Sequence, residues 1–494
     1  MIPSIVLTSK EQELRHLIVV ISKLTKLPAG LFSSAEKTYI KEQIETLKQE
    51  VVSFNRLGYW VYLFFIKDEK DQPKRLESCR KAGDKVAGLL NGQKAMKATI
   101  YDAEGKSKEV LAFAEGMALG SYQFLKYKSE KETENTLEEI EIYSKALEEP
   151  DNNDTSHVSR VTHHDFRVTE LNILLDAVAR CRDLINEPNS YLTATVFSEE
   201  VEQMAKESGA HAEVLTKQKI AALKMGGLLG VNQGSHEPPT FTVMEWNPAG
   251  AKNKKPIVLV GKGVVYDSGG MNLKPGNSML NMKDDMSGAA AVAAAVYAIA
   301  KAKLPVHVVG LMPATDNRPG MKALVPGDII TMHNGMTVEV VDTDAEGRLI
   351  LADALSYAKR YDPSLVIDLA TLTGSAVRAI GKFAAAAMQS NASGELEKLK
   401  RSGDEVCERL AEFPMWDEYG EQIKSELADL KNLGGAEAGL ITAAKFLEKF
   451  TDYPYIHLDI AGPAFIDKRD SYRGLGGTGY GVRLLFEFFK KVTR

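Results

Sequence analysis

Residues 256–302, PIVLVGKGVVYDSGGMNLKPGNSMLNMKDDMSGAAAVAAAVYAIAKA, contain the pattern that decides the fold. The apolar run at 256–260 predicts a buried strand, and the alanine-rich run at 289–302 predicts a helix. A glycine-rich loop with several charged residues lies between them. A strand, a loop and a helix in this order are typical of an α/β unit, in which helices cover a mainly parallel sheet.

The same alternation continues to the end of the chain. Strands are predicted at 306–311, 337–341, 365–370 and 455–460, and helices at 349–361, 438–450 and from about 482. We therefore expect a C-terminal mixed β-sheet sandwiched between helices. In such folds ligands bind beyond the carboxyl ends of the strands, so the residues that follow the strands are the candidates for function.

The first 160 residues predict a smaller α/β domain. Ser33-x-x-Glu36 is a capping box that begins a helix reaching about residue 49. Residues 59–66 predict a buried strand, 75–90 a helix and 137–143 an edge strand. An acidic, polar stretch at 129–154 resembles a solvated linker. We predict an N-terminal domain at 1–160 and a catalytic domain at 161–494.

The composition excludes several classes of protein. Lys and Arg number 61 against 67 Asp and Glu among 494 residues, and 44 % of the chain is hydrophobic, which is ordinary for a globular protein rather than a disordered one. The net charge of −6 does not favour a dedicated nucleic-acid binder. No apolar run reaches the ~18 residues of a membrane helix, and the N-terminus lacks a signal-peptide pattern. The three cysteines are expected to be reduced thiols. These features predict a cytoplasmic protein.

Two loops next to the alanine-rich helix carry charged residues. Lys262, Asp267 and Lys274 follow the strand at 256–260, and Asp284 and Asp285 precede the helix. Each loop also has a purely structural explanation. The Asp-Ser-Gly-Gly sequence is ordinary turn chemistry, and either of the second pair of aspartates would cap the helix.

A third loop with several acids favours a functional site over these structural explanations. Asp342, Asp344 and Glu346 follow the predicted strand at 337–341, and their spacing would place them on one face of an extended segment. Carboxylates crowd together unfavourably unless positive charge compensates them. Divalent cations are suitable, because carboxylate oxygens are preferred ligands of hard and borderline metals. The chain has no H-E-x-x-H motif, so a helical zinc-protease site is excluded.

The motifs in these loops resemble those of the leucyl aminopeptidases, also called cytosol aminopeptidases, which are dinuclear metallo-exopeptidases. The resemblance is carried by VGKGVVYDSGGMNLKP, KDDMSGAAAV, DTDAEGRLILADAL, DLATLTG, GLITAAKFL and HLDIAG, in this order along residues 170–494. The resemblance implies an aminopeptidase that acts on short peptides with a free N-terminus, preferably at leucine or another apolar residue. It also implies a homohexamer.

The resemblance implies two divalent metal ions, Mn or Zn. One would be held by Lys262, Asp267, Asp285 and Glu346, and a more exchangeable one by Asp267, Asp344 and Glu346. The backbone carbonyl of Asp344 would be a further ligand. Lys262 enters this set from the resemblance alone, since an amine must lose its proton before it binds a metal.

The resemblance also implies the remaining site residues. Lys274 would stabilise the negative oxygen of the tetrahedral intermediate, and Arg348 would hold a bicarbonate ion that serves as a proton shuttle. A salt bridge to a nearby acid is the alternative explanation of that arginine. The pocket for the side chain of the first substrate residue would be lined by Met282, Thr371, Gly374, Ala461 and Ala464.

One position departs from the family pattern. The family usually has Asn where this chain has Asp342. The extra acid would strengthen metal binding, change the metal preference or accept a neighbouring hydrogen bond.

Two other functions are open to the same sequence. One is a dinuclear hydrolase that acts on a phosphoester, although such sites usually contain more histidine. The other is DNA binding, for which the acidic balance predicts no specific complex.

Overall fold

The computed structural model describes residues 2–8, 16–130, 134–148 and 163–492, with only the backbone described at 163–165. The chain divides into two compact units, Met1–Ala179 with Lys468–Gly474, and Arg180–Asp467 with Leu475–Arg494. The predicted domain boundary near residue 160 lies outside the described residues and stays a prediction.

The first unit contains, in the described residues, a six-stranded sheet in the order β1-β6-β5-β2-β4-β3. All neighbouring strands are parallel except β3 and β4. The strands are Ser4–Leu7 (β1), Leu17–Ile21 (β2), Val51–Asn55 (β3), Trp60–Phe65 (β4), Lys97–Asp102 (β5) and Glu139–Tyr143 (β6). The helices are Ser34–Glu45 (α1), Gln72–Gly92 (α2), Ser107–Gly120 (α3), Lys145–Glu148 (α4) and His163–Asn186 (α5), the last of which extends into the second unit.

The predicted elements of this unit are present, with one difference in length and one in position. The capping box of α1 is confirmed, because Ser33 accepts a hydrogen bond from the Glu36 backbone and Glu36 accepts one from the Ser33 backbone. The helix ends at Glu45 rather than near residue 49. The prediction of β6 as an edge strand is wrong, since β1 pairs with its outer side. The four residues of β1 were too few to be recognised from their pattern.

The second unit contains a nine-stranded mixed sheet in the order β16-β15-β18-β14-β9-β11-β8-β7, with β10 paired to β11. Its strands are His211–Leu215 (β7), Thr240–Trp246 (β8), Ile257–Gly261 (β9), Gly263–Asp267 (β10), Val308–Asn317 (β11), Leu365–Ala370 (β14), Ala384–Ser390 (β15), Arg409–Glu412 (β16) and Tyr455–Asp459 (β18). Shorter strands at Ile329–Thr331 (β12), Thr337–Glu339 (β13) and Leu430–Lys431 (β17) form a separate sheet, and Phe465–Ile466 (β19) pairs with Gly476–Gly477 (β20). The strand predicted at 337–341 therefore exists but does not join the main sheet.

Helices pack around the main sheet, as predicted. They are Ala194–Ser208 (α6), Lys217–Ala222 (α7), Gly226–Asn232 (α8), Ser287–Lys301 (α9), Gly347–Ala358 (α10), Gly374–Ile380 (α11), Ser393–Val406 (α12), Glu418–Glu421 (α13), Gly439–Glu448 (α14) and Val482–Val492 (α15). The cysteines are free thiols. In the part of the chain that the structure describes, none of the helices has both the length and the hydropathy needed to cross a membrane.

Helix α9 approaches the sheet unusually closely. Its residues from Ser287 to Ala300 are all buried, and small side chains allow the helix backbone to lie against β9 and β14. A Cβ atom on Gly288 would lie 2.0 Å from the Leu369 carbonyl oxygen, and one on Gly261 would lie 2.5 Å from the Ala289 Cα. Close packing of the helix against the sheet therefore depends on two glycines.

Candidate metal centre

The site lies where the parallel strands β9, β11, β14 and β18 end. Lys262 follows β9, Asp267 ends β10, Asn317 ends β11 and Thr371 follows β14. Because the carboxyl ends of parallel strands meet at one edge of the sheet, these side chains come together although they are distant in sequence.

Lys262 connects two of the predicted acids. Its Nζ atom lies 2.7 Å from Asp285 Oδ1 and 2.9 Å from Glu346 Oε1, and it donates a 2.9 Å hydrogen bond to the Thr371 carbonyl oxygen. Burial lowers the pKa of this ammonium group, but the negative charges of Asp285 and Glu346 outweigh burial and raise the pKa overall. This arrangement therefore places a protonated lysine between two carboxylates.

Lys274 connects the other acids. Its Nζ atom lies 2.7 Å from Asp267 Oδ2 and 2.6 Å from Asp344 Oδ1. Carboxylate oxygens of Asp267, Asp344 and Glu346 all lie within 4.8 Å of one another. The structure thus brings Asp267 together with Asp344 and Glu346. Lys262 connects Asp285 to this group.

The charge balance of this cluster fits divalent cations. Four carboxylates face two ammonium groups, and burial raises the pKa of Asp344 to about 7, with a further contribution from the charge of Asp267. Burial also raises the pKa values of Asp285 and Glu346. Asp285 Oδ2 and Glu346 Oε2 are buried and have no hydrogen-bond partner among the described residues. Buried carboxylate oxygens of this kind are costly unless a cation satisfies them.

The glycine-rich loop has a conformation that other residues rarely adopt. Gly269 and Gly270 have φ angles of +87° and +64°, in the region that glycine enters without steric cost. A Cβ atom on Gly269 would lie 2.9 Å from Asp344 Oδ1 and 2.4 Å from the Asn272 carbonyl oxygen. These glycines allow the loop that begins at Asp267 to approach the loop that carries Asp344.

The loop at 342–346 is a turn rather than the extended segment considered in the sequence analysis. Asp342 Oδ1 accepts a 2.8 Å hydrogen bond from the Asp344 backbone N–H, and the Ala345 N–H donates to the Asp342 carbonyl oxygen. Asn432 holds the other side of the turn by donating to the same carbonyl oxygen over 2.6 Å. Of the three roles considered for Asp342, this geometry fits the neighbouring hydrogen bond, which an Asn side chain would also make.

Arg348 lies in the first turn of α10 and is 4 % exposed. Its Nε and Nη1 atoms have no hydrogen-bond partner in the described part of the chain. Burial lowers the pKa of Arg348 to about 10, opposed by the charge of Glu346. Since no salt bridge to Arg348 is present among the described residues, its guanidinium group can still receive a small anion.

Of the predicted pocket residues, Thr371 lies in the loop after β14, Gly374 begins α11, and Ala461 and Ala464 lie in the loop after β18. Thr371 donates a 3.0 Å hydrogen bond to Asp285 Oδ1, whereas Gly374 is exposed, Met282 and Ala461 are half-buried and Ala464 is 1 % exposed. The buried Asp459 connects two of these loops, because its carboxylate accepts hydrogen bonds from the Leu372 N–H, the Thr373 hydroxyl and the Ala461 N–H.

Several polar residues of the site are not among those predicted from the sequence. Asn317, Thr343 and Asp459 are buried and hold the loops together. Thr343 is the neutral residue between Asp342 and Asp344, whereas Asn317 and Asp459 lie outside the three charged loops. Asn317 and Asp459 are the last residues of β11 and β18. Their position at the ends of predicted strands was the one sequence feature that could have marked them as site residues.

Residues 179–486 match the catalytic-domain model of the cytosol aminopeptidase family, and residues 70–131 match its N-terminal-domain model. The chain belongs to the cytosol aminopeptidase family. The resemblance inferred from the motifs is confirmed, and family membership makes the chain a peptidase that acts at the N-terminus of peptides. Peptidases of this family depend on metal ions.

Relatives in the cytosol aminopeptidase family match most of the chain. A "Probable cytosol aminopeptidase" of Geobacter sulfurreducens is 43 % identical over 84 % of this chain and 82 % of its own length. Another, of Chlorobaculum tepidum, is 46 % identical over 84 % of each chain. Among solved structures, a mutant of tomato leucine aminopeptidase has a TM-score of 0.83 and 28 % identity, covering 99 % of this chain and 96 % of that one. The bottromycin maturation enzyme BotP in complex with Mn has a TM-score of 0.81 and 28 % identity, covering 97 % and 99 %.

Proposed function

We propose that this member of the family is a two-metal aminopeptidase that releases leucine and other apolar residues from the N-termini of short peptides. The observation that carries the proposal is the gathering of carboxylate oxygens from Asp267, Asp344 and Glu346 within 4.8 Å. Asp285 joins them through its contact with Lys262. Caps and turns alone would not require acids from three loops to meet.

In this proposal Lys262, Asp267, Asp285 and Glu346 hold one divalent cation. Asp267, Asp344 and Glu346 would hold the other, so that Asp267 and Glu346 would contribute to both sites. The unpartnered oxygens of Asp285 and Glu346 support this assignment. Lys262 must lose its proton to serve as a ligand. Bound divalent cations supply a water of lowered pKa and polarise the scissile carbonyl group.

Two cationic residues complete the proposed chemistry. Burial lowers the pKa of Lys274, but the charge of Asp267 and hydrogen bonds to Asp267 and Asp344 outweigh burial and raise the pKa overall, so Lys274 keeps its proton. Its ammonium group is therefore available to stabilise the negative oxygen that develops on the substrate. Arg348 would hold bicarbonate, which would supply a proton acceptor at the site, and its unpartnered buried nitrogens support this role.

The substrate preference is assigned to Met282, Thr371, Gly374, Ala461 and Ala464. Most of these side chains are small or apolar, which suits an apolar first residue of the substrate. Manganese or zinc would serve as the metal, and the manganese complex of BotP supports the former. A homohexamer in the cytoplasm is proposed from the family resemblance, and the relatives' name of cytosol aminopeptidase supports the location.

Hydrolysis of leucine p-nitroanilide tests this proposal. We expect activity that is lost on chelation and restored by manganese, together with faster cleavage of the leucine substrate than of charged aminoacyl p-nitroanilides. p-Nitrophenyl phosphate is the control substrate for a phosphoesterase. Hydrolysis of the phosphate in preference to the anilide, or full peptidase activity in excess chelator, would contradict the proposal.

A further inference from the structure

Asn317 lies beneath the carboxylate cluster and connects two of its loops. It is the last residue of β11 and is 4 % exposed. Its Nδ2 atom donates a 2.9 Å hydrogen bond to Asp267 Oδ1 and a 3.0 Å hydrogen bond to the Thr343 carbonyl oxygen. Both hydrogens of the amide are therefore used, one on each loop.

These contacts fix the orientation of the Asp267 carboxylate. Oδ1 accepts the hydrogen bond from Asn317 and a 2.8 Å hydrogen bond from the Gly269 N–H. Oδ2 lies 2.7 Å from the ammonium group of Lys274. One oxygen is thus bound to the protein framework, and the other faces positive charge. Rotation of the carboxylate would break both hydrogen bonds to Oδ1.

The second hydrogen bond of Asn317 fixes the spacing between loops. It ends on Thr343, whose hydroxyl donates a 2.7 Å hydrogen bond to the Gly269 carbonyl oxygen. The Thr343 N–H donates to Asn272 Oδ1 over 3.0 Å. Thr343 immediately precedes Asp344, so the loop of Asp267 and the loop of Asp344 are held together by neutral hydrogen bonds that do not depend on the lysines.

We propose that Asn317 is a positioning residue that sets the affinity of the site for divalent cations. It does so by orienting the Asp267 carboxylate and fixing its distance from the loop of Asp344. This inference rests on the proposed metal centre, because it concerns the same carboxylates. Asn317 itself contacts no reacting atom in this role. Partners that orient a metal ligand typically change metal affinity by about 10- to 100-fold.

The test is Mn²⁺ binding to chelator-stripped full-length protein, measured by isothermal titration calorimetry and by the electron paramagnetic resonance spectrum of Mn²⁺. Asn317→Ala is expected to raise the dissociation constant of Mn²⁺ by about 10-fold or more and to change the spectrum. Excess Mn²⁺ should recover part of the lost peptidase activity. If Asn317→Ala fails to fold, Asn317→Ser is measured in the same way, since a serine hydroxyl is too short to reach both acceptors.

Asn232→Ala is the matched control. Asn232 is also buried and also uses its amide in two hydrogen bonds, to Thr315 on the same strand and to the Glu237 carbonyl oxygen. It contacts no carboxylate of the cluster through that amide, so it should lose stability without losing Mn²⁺ affinity. Equal Mn²⁺ affinity in wild type and a folded Asn317 variant would overturn the inference, as would an equal loss in the control. Failure of the wild type to bind Mn²⁺ would instead reject the proposed metal centre.

Discussion

Asp344 is the most exposed acid of the cluster, with 34 % of its side chain accessible. Among the described residues, Asp344 forms an ion pair with Lys274 alone. We predict that Asp344→Asn lowers the turnover of leucine p-nitroanilide by at least about 100-fold, because a direct ligand should matter no less than the partners that orient one. The fold should remain, since the change removes one charge from a cluster rich in acids. Normal turnover in this variant would contradict the ligand assignment.

Lys274 should affect the chemical step more than substrate binding. We predict that Lys274→Ala lowers kcat by about 10²–10³-fold, as expected for loss of one group that stabilises an oxyanion, while KM changes much less. Steady-state kinetics at saturating Mn²⁺ would measure both values. Lys301→Ala, which changes a surface lysine at the end of α9, is the control. A raised KM with unchanged kcat would remove the role assigned to Lys274.

Sequence motifs identify some residues of the proposed site and miss others. Asp267, Asp344 and Glu346 could be proposed as a cluster because acids in separate strand-end loops are unusual. Lys262 could not be chosen without the family resemblance, since a protonated amine does not resemble a metal ligand. Asn317 could not be predicted as a site residue, because a single neutral amide forms no recognisable sequence motif. Its hydrogen-bond partner Asp267 also lies 50 positions away.

The capping box of helix α1 could be recognised from the sequence alone, and its contribution to stability can be measured. We predict that Ser33→Ala lowers the free energy of unfolding by about 1 kcal/mol, because the N-cap hydroxyl satisfies a backbone N–H that is otherwise unpaired. Hydrogen exchange of the amides in α1 would measure the loss. Ser34→Ala changes another exposed serine one position later and should have a smaller effect. An equal effect of the two changes would contradict the capping role.

Helix α10 carries a buried acid outside the proposed centre. Asp353 accepts 2.9 Å hydrogen bonds from the backbone N–H groups of Leu228 and His333, and burial raises its pKa from 3.8 to about 7. The folded protein therefore binds this proton more tightly than the unfolded chain. Stability contributed by this group is present below about pH 4 and is lost as the pH rises towards 7, with a slope of at most about 1.4 kcal/mol per pH unit.

Asp353→Asn isolates this effect from the other titrating groups. We predict that urea unfolding of the variant shows less loss of stability between pH 4 and about 7 than unfolding of the wild type. The difference between the two proteins is the relevant quantity, because the acids of the cluster titrate in both. Parallel pH profiles would show that Asp353 has an ordinary pKa in the folded protein.

The helices and strands with strong periodicity could be predicted, whereas their pairing could not. The strand at 365–370 was predicted with its observed bounds, because five apolar residues interrupted only by Asp368 form a run, all of which the fold buries. Strand β13 was predicted, but it was expected in the main sheet rather than in the small sheet with β12 and β17. The sequence of so short a strand does not show which strand it pairs with. The turn at 342–346 depends on Asn432, which lies 90 positions away from Asp342.

Over the whole molecule, the cations should contribute to folding as well as to catalysis. A ligand that binds only the folded state stabilises it by about 2.7 kcal/mol at 100 times its dissociation constant. We predict that chelation lowers the midpoint of thermal unfolding and that Mn²⁺ restores it in a concentration-dependent manner. Differential scanning calorimetry would measure both changes. Sodium chloride at equal ionic strength controls for salt, and an unfolding midpoint insensitive to chelator and Mn²⁺ would contradict the prediction.

The contact of α9 with β9 and β14 has a consequence for protein engineering. The Ala289 N–H donates to the Lys262 carbonyl oxygen over 2.9 Å, so the start of this helix is hydrogen-bonded directly to the main chain of the lysine. A methyl group at Gly288 would have to push away the Leu369 carbonyl oxygen, which it would meet at 2.0 Å. Mutant libraries meant to widen substrate scope should keep Gly261 and Gly288 fixed, because even alanine there would shift Asp285 relative to its partners without altering any functional group.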